Sequence, residues 1–304
     1  MGNHMISRRE AFRISAASAG MLLGVAGISS AWPPGPDEKL KRDLTPGKTP
    51  VRLATGMARQ GNEAFEIMVK RVRDRGYTSV VTSPEPWNTM TDSQLSELRA
   101  ALKENDVVVF EVGGYTNMLH PDPDTRQKNL KHLAMCIETA DKVGCPMVGT
   151  ISGSLDPKDF YNVHPENWTE KTWKVLVDGV KQVLRDTSGC KAAIGMEAQV
   201  TTNIDGPRAH KRLMDDVGDS RCAVNLDPTN MVSLETYYHT TELLNECFDL
   251  LGEDILGCHA KDTYIIPDRM LSLHHRGSPR TGGSGLRDLP HPDEPHEVAA
   301  HAPP

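Results

Sequence analysis

The sequence predicts an α/β fold: a (β/α)8 TIM barrel that is incomplete at its C-terminal end, with seven recognisable strands. Three observations lead there. Seven short apolar runs alternate with six amphipathic helical patterns. No hairpin turn joins one run to the next, so each connection is a crossover and the strands run parallel. The length, 304 residues, is enough to bury a full-sized core. A closed arrangement of such units is a barrel and an open one a doubly wound sheet. No GxGxxG follows the first run and no GxxxxGK[ST] occurs anywhere. The nucleotide-binding version of the open sheet therefore lacks its signature, and the barrel is favoured.

The chain starts with an export pattern. SRREAF begins at Ser7 and is followed by ISAASAGMLLGVAG, with Ser29-Ser30-Ala31 as a small-residue cleavage site. A charged region, a short apolar region and a small-residue region make residues 1–31 a signal segment too short to span a membrane well. The adjacent Arg8 and Arg9 resemble the twin-arginine signal, although Phe12 lies one place later than the usual pattern. That implies delivery to the periplasm by the twin-arginine export machinery, or a membrane anchor where the signal is retained. Residues 32–49 form a Pro-rich linker, and the barrel is expected over 50–273.

Within it, strand signals fall at PVRLAT (50–55), TSVVT (78–82), VVVFEVGG (107–114) and PMVGTISG (146–153). They continue at KAAIGMEAQ (191–199), CAVNLDPTN (222–230) and ILGCHAKDT (255–263). Helical periodicity fills the intervals: EAFEIMVKRVRDRG, SQLSELRAALKEN, QKNLKHLAMCIETADKVG, KTWKVLVDGVKQVLRD, RAHKRLMDDVG and ETYYHTTELLNECFDLLG.

The formal net charge of −7 argues against a nucleic-acid surface, which relies on an excess of Lys and Arg. It leaves room for a local cationic pocket for a small phosphorylated ligand. Six cysteines are scattered without a CxxC pair and several sit in apolar runs, where a thiol behaves as a small hydrophobe.

In a barrel, chemistry-bearing groups come from the C-terminal ends of strands. Three consecutive strand runs end in metal-capable side chains: Glu197 in GMEAQ, Asp227 in NLDPTN and His259 in CHAKD. Their separations, 227 − 197 = 30 and 259 − 227 = 32, each equal about one βα unit. The three should therefore stand side by side on one rim. Each alone has a plainer explanation: a surface carboxylate, a turn-forming Asp before Pro228, a rim histidine. Spacing in phase with the repeat is what makes them a candidate site. Two carboxylates and an imidazole suit a divalent cation such as Mn²⁺, Mg²⁺, Co²⁺ or Zn²⁺, and no soft ligand selects among them.

MEAQVTT, NLDPTNM and GCHAKDT, together with GYTNMLHPD (114–122) and HPENWT (164–169), resemble the sugar phosphate isomerase/epimerase family of xylose isomerase-like TIM barrels. The resemblance covers roughly residues 50 to 273. It implies a metal held by Glu, Asp, His and a second Glu from the last strand, the first three matching Glu197, Asp227 and His259. It also implies that Glu197 is ligand and base at once. Lys261 matches the lysine of an HxKD pattern placed to touch a substrate oxygen or phosphate, and a solvated lysine is the plainer alternative. Asn230, His120, Tyr115 and His164 are candidate substrate contacts, each with a loop or capping role as its alternative.

The implied reaction moves a proton next to the carbonyl of a sugar or sugar phosphate, with a cation stabilising the enediolate. Related barrels include dehydratases of polyols and keto acids, and a non-catalytic sugar-binding barrel is the non-enzyme alternative. The resemblance leaves one role unfilled, because no counterpart of the last-strand Glu follows Leu273. Residues 274–304 read instead as an irregular Gly-, Pro- and His-containing segment. From His275 to Leu286, degenerate codons shifted by one base permit IEEAPGQGVLDY, which is the kind of Glu- and Gly-containing segment such barrels carry there. The tail is accordingly expected to be a frame-shifted one, with a natural flexible tail or a metal-binding His tract as the alternatives.

Overall fold

The computed structural model describes residues 52–261. The expected signal segment, linker and tail lie outside the described residues. Seven strands form one sheet in sequential order: β1 (Ala54–Gly56), β2 (Ser79–Thr82), β3 (Val108–Gly113), β4 (Met147–Ile151), β5 (Ala193–Glu197), β6 (Cys222–Leu226) and β7 (Ile255–Cys258). Every neighbouring pair is parallel. Six helices connect them: α1 (Phe65–Asp74), α2 (Asp92–Glu104), α3 (Pro123–Val143), α4 (Glu170–Asp186), α5 (Pro207–Val217) and α6 (Thr240–Leu251). The result is a curled half-barrel with helices, an incomplete (β/α)8 barrel. No helix among the described residues is long and apolar enough to cross a membrane.

Local chemistry explains where the helices start and stop. Thr91 and Gln94 form a reciprocal capping box at the start of α2. Asp122 accepts from the Thr125 amide at 2.8 Å, with Pro123 in the first helical position, so α3 begins four residues before the apolar period from Gln127 suggests. Gly144 ends α3 in the left-handed region, at φ 75°, where a side chain would be strained. At its other end α4 is closed by Arg221, which donates to the carbonyls of Leu184 and Thr187 at 2.6 and 2.8 Å. The last helix begins at Thr240 rather than Glu235, because Tyr237–His239 take a 3-10 turn.

Strands β4, β5 and β6 are buried at every position, as a parallel sheet covered on both faces requires. Outside, Met68, Leu98, Leu133, Ile137, Leu176 and Leu213, all at most 1% exposed, pack the helices onto the sheet. Each such side chain contributes about 1.5–3 kcal/mol by leaving water. Inside, the residues are fewer and partly polar. Gly195 leaves room for Met147, whose sulfur stands where a β-carbon would go. Gly149 does the same for the carboxylate of Glu111. An acid on the inner face of β3 is thus accommodated by a missing side chain on β4.

Candidate metal centre

The C-terminal ends of β5, β6 and β7 bring Glu197, Asp227 and His259 together around one imidazole ring. His259 Nε2 lies 3.6 Å from Glu197 Oε1 and its Nδ1 lies 3.1 Å from Asp227 Oδ2. The same ring meets a third carboxylate, Glu111 Oε2, 3.3 Å from Nε2. Glu111 is the residue that sequence reasoning missed. Its signal was present, since it is the single charged side chain inside the apolar run VVVFEVGG. Its strand ends one unit too early to join the 30-residue spacing, however, and only the curl of the sheet carries it across.

Lys261 donates to Asp227 and lies 3.2 Å from His259 Nδ1, with its side chain half exposed. Tyr115 donates to Glu197, with Glu111 Oε1 3.2 Å away. Asn230 donates to the other Glu197 oxygen at 3.2 Å. Asn225, one turn of the pleat below Asp227, donates to Glu111 at 3.1 Å and Glu197 at 3.0 Å. The two other candidates spend themselves locally. His120 accepts from the Asp122 amide and His164 from the Glu166 amide, each through Nδ1 at 3.2 Å. Both are turn-capping contacts within their own loops.

Three acids converging on so little space perturb each other and the base between them. Burial is the largest influence on Glu197 and raises its carboxyl to about 7, against the pull of His259 and Tyr115. Burial also opposes ionisation of Asp227, but the hydrogen bonds and charges of His259 and Lys261 win and hold it at about 2. His259 shows the converse. Burial disfavours its charge, yet the contacts with Asp227 and Glu111 and the field of Glu197 keep it an imidazolium up to about 10. Tyr115 is pushed upward by burial and by both glutamates, so it remains a donor.

The arrangement is short of positive charge, and a proton on His259 supplies part of it. One oxygen each from Glu111 and Glu197 and one nitrogen of His259 lie within 4.8 Å of one another. That places them in reach of a single ion, whose bonds to such donors run about 2.0–2.2 Å. Asp227 contacts the far side of the ring, the position from which a carboxylate orients a metal-binding histidine. The Asn225 carbonyl oxygen is buried without a partner among the described residues, so a half-turn of the amide would add an oxygen to the donors. Carboxylates, an imidazole and an amide oxygen fit a divalent cation. Cys258 next door is no thiolate, because burial pushes its thiol up to about 12.

Comparison with known proteins agrees with this architecture. A family model described as xylose isomerase-like TIM barrel matches residues 69–291. Among curated proteins, no relative matches by sequence. Endonuclease IV from Thermus thermophilus superimposes with a TM-score of 0.54 and 16% identity, covering 69% of this chain and 76% of that one. The probable 3-DHS dehydratase AsbF from Bacillus anthracis gives 0.52 and 13% identity, over 71% and 73% of the two chains. D-psicose 3-epimerase from Clostridium cellulolyticum gives 0.48 and 17% identity, over 63% of this chain and 66% of that one, just under two thirds of its length.

Proposed function

The chain belongs to the xylose isomerase-like TIM barrel family, and on that footing we propose that it is a divalent-metal-dependent isomerase or epimerase of a sugar or sugar phosphate. The observation that carries the reading is the convergence of Glu111, Glu197 and His259 on one point, with Asp227 behind the ring. In this reading Glu111, Glu197 and His259 are donors to the cation, and Asp227 is either a fourth donor or the group that orients His259. The bound cation supplies the positive charge that stabilises an enediolate. The remaining chemistry belongs to the side chains. Glu197, held in position by Tyr115 and Asn230, removes the carbon-bound proton and returns it to the adjacent carbon for isomerisation. Return on the other face, for epimerisation, needs a second acid in the role of the last-strand Glu. Lys261, half exposed at the rim, meets a substrate oxygen or phosphate. The sequence signal at Arg8 and Arg9 supports export by the twin-arginine route as part of the same proposal.

Metal analysis of the purified protein beside Glu197→Gln and His259→Gln tests the site. Both variants should lose bound metal, and unchanged content in both would remove the proposal. Incubating the metal-loaded protein with ketoses in deuterated water tests the chemistry. Deuterium should enter at the carbon beside the carbonyl in the wild type and not in Glu197→Gln. A metal-binding wild type that exchanges no proton on any sugar would leave a sugar-binding barrel instead of an enzyme.

A further inference from the structure

A second concavity opens on the same rim, built from residues that the cation cluster does not use. It has a volume of about 270 Å³ and lies between the loop after β4, the loop after β5 and the first turns of α4 and α5. That volume is at the small end of small-molecule pockets and suits one ring rather than a chain. Its walls are two indoles, Trp168 and Trp173, with Asn203, Asp205, Arg208 and Arg212.

Two features make it a built site. Trp168 is 44% exposed, an unusual position for so large an apolar surface, and it is not loose. Its Nε1 donates to Asp205 Oδ2 at 3.0 Å, which pins the ring. Asn203 is 4% exposed, and neither its amide nitrogen nor its carbonyl oxygen has a partner among the described residues. A buried amide left unpaired on both atoms is costly, so such residues call for a partner. Both atoms are closed off from solvent, so a ligand in the cleft that Asn203 lines reaches them once its side chain turns outward.

The charges around it leave a small acidic excess. Arg212 lies over Trp173 at 4.2 Å and forms a two-pronged pair with Glu170 at 3.0 and 2.6 Å. Arg208 holds Glu246 at 2.5 Å. With Asp205 also present, the cleft has no excess of positive charge to attract a phosphate. A pinned indole face, a side-chain amide offering one donor beside one acceptor, and the lack of any positive excess together match a neutral sugar ring. The ring's C–H face lies on the indole and, with the Asn203 side chain turned outward, one hydroxyl accepts from its Nδ2 and the neighbouring hydroxyl donates to its Oδ1.

We propose that this cleft is a binding subsite for a single neutral pyranose ring, separate from the cation cluster. It goes beyond the proposed reaction and does not depend on it. The test uses methyl β-D-glucopyranoside, which has no free carbonyl and is therefore not a substrate for proton transfer. Saturation-transfer NMR with the full-length protein should show saturable binding. Trp168→Ala, at an exposed position, should weaken it about tenfold, and Asn203→Leu should do the same. Glu197→Gln should leave it unchanged. Absence of saturable binding to the wild type overturns the proposal, as does binding that survives Trp168→Ala, or binding that Glu197→Gln abolishes. Circular dichroism establishes that Asn203→Leu is folded; if it is not, Trp168→Ala decides alone. Failure here leaves the metal measurements on Glu197 and His259 untouched.

Discussion

Two histidines in the described part of this fold, one buried and one partly buried, behave in opposite ways. His210, on α5 in the layer between helices and sheet, is 2% exposed, and burial lowers its ring to about 4. Its Nε2 has no partner among the described residues. His259, at the mouth of the sheet, is raised to about 10 by Asp227, Glu111 and Glu197 despite burial. The side chain is the same and desolvation acts on both. What differs is the company: in the outer layer only a backbone contact with Ala223 opposes desolvation, whereas the mouth surrounds its imidazole with carboxylates. The outer layer is built for stability and the mouth for holding positive charge, as barrel folds generally divide the work.

Five substitutions probe that division. The largest effect should come from Leu176→Ala in the outer layer, where a fully buried leucine leaves a cavity costing about 2–5 kcal/mol in denaturant unfolding. Metal bound per folded molecule should not change, and a parallel loss of metal would mean that the two regions are not independent. Next is acid. A neutral His210 in the folded state and an ordinary one in the unfolded state mean that only the unfolded chain takes up the proton between about pH 6.5 and 4. Stability on this account is fully present above about 6.5 and falls as pH drops, by about 3 kcal/mol at the lower end. His210→Gln should flatten that part of the pH–stability curve, and an equal slope in the variant would refute the assignment.

At the mouth, Asp227→Asn should weaken metal binding by about 10–100-fold if the carboxylate acts by orienting His259. Titration calorimetry beside Glu111→Gln shows which of the two acids touches the ion, since the direct donor should cost more. The smallest effect belongs to the helix ends. Thr91→Ala removes one half of the capping box on α2 and should cost about 1 kcal/mol, with no change at the mouth.

The two regions also differ in how far they could be read from the chain alone. Strand–helix alternation fixed the number of strands and their order, because each crossover is local and a short continuous apolar run gives way to a 3.6-residue period at every boundary. Glu197, Asp227 and His259 were readable for the same reason, as they end consecutive strands at the repeat spacing. Boundaries slipped where a cap overrode the apolar period, as at Asp122, or where a tight turn interrupted it, as at Tyr237–His239.

Glu111 is the instructive omission. It is 148 residues from the histidine it meets, and the space its carboxylate fills is left by a glycine on a neighbouring strand. His120 and His164 are the reverse case, conspicuous in the chain and used by their own loops. Periodicity along the chain was enough to specify the parallel α/β plan and three members of the mouth, since both repeat with the βα unit. That Glu111 joins them, and that Asn203 and Trp168 share a cleft, emerged with the folded coordinates. Burial and opposition across a curved sheet are properties of distance in space, and no spacing along the chain encodes them.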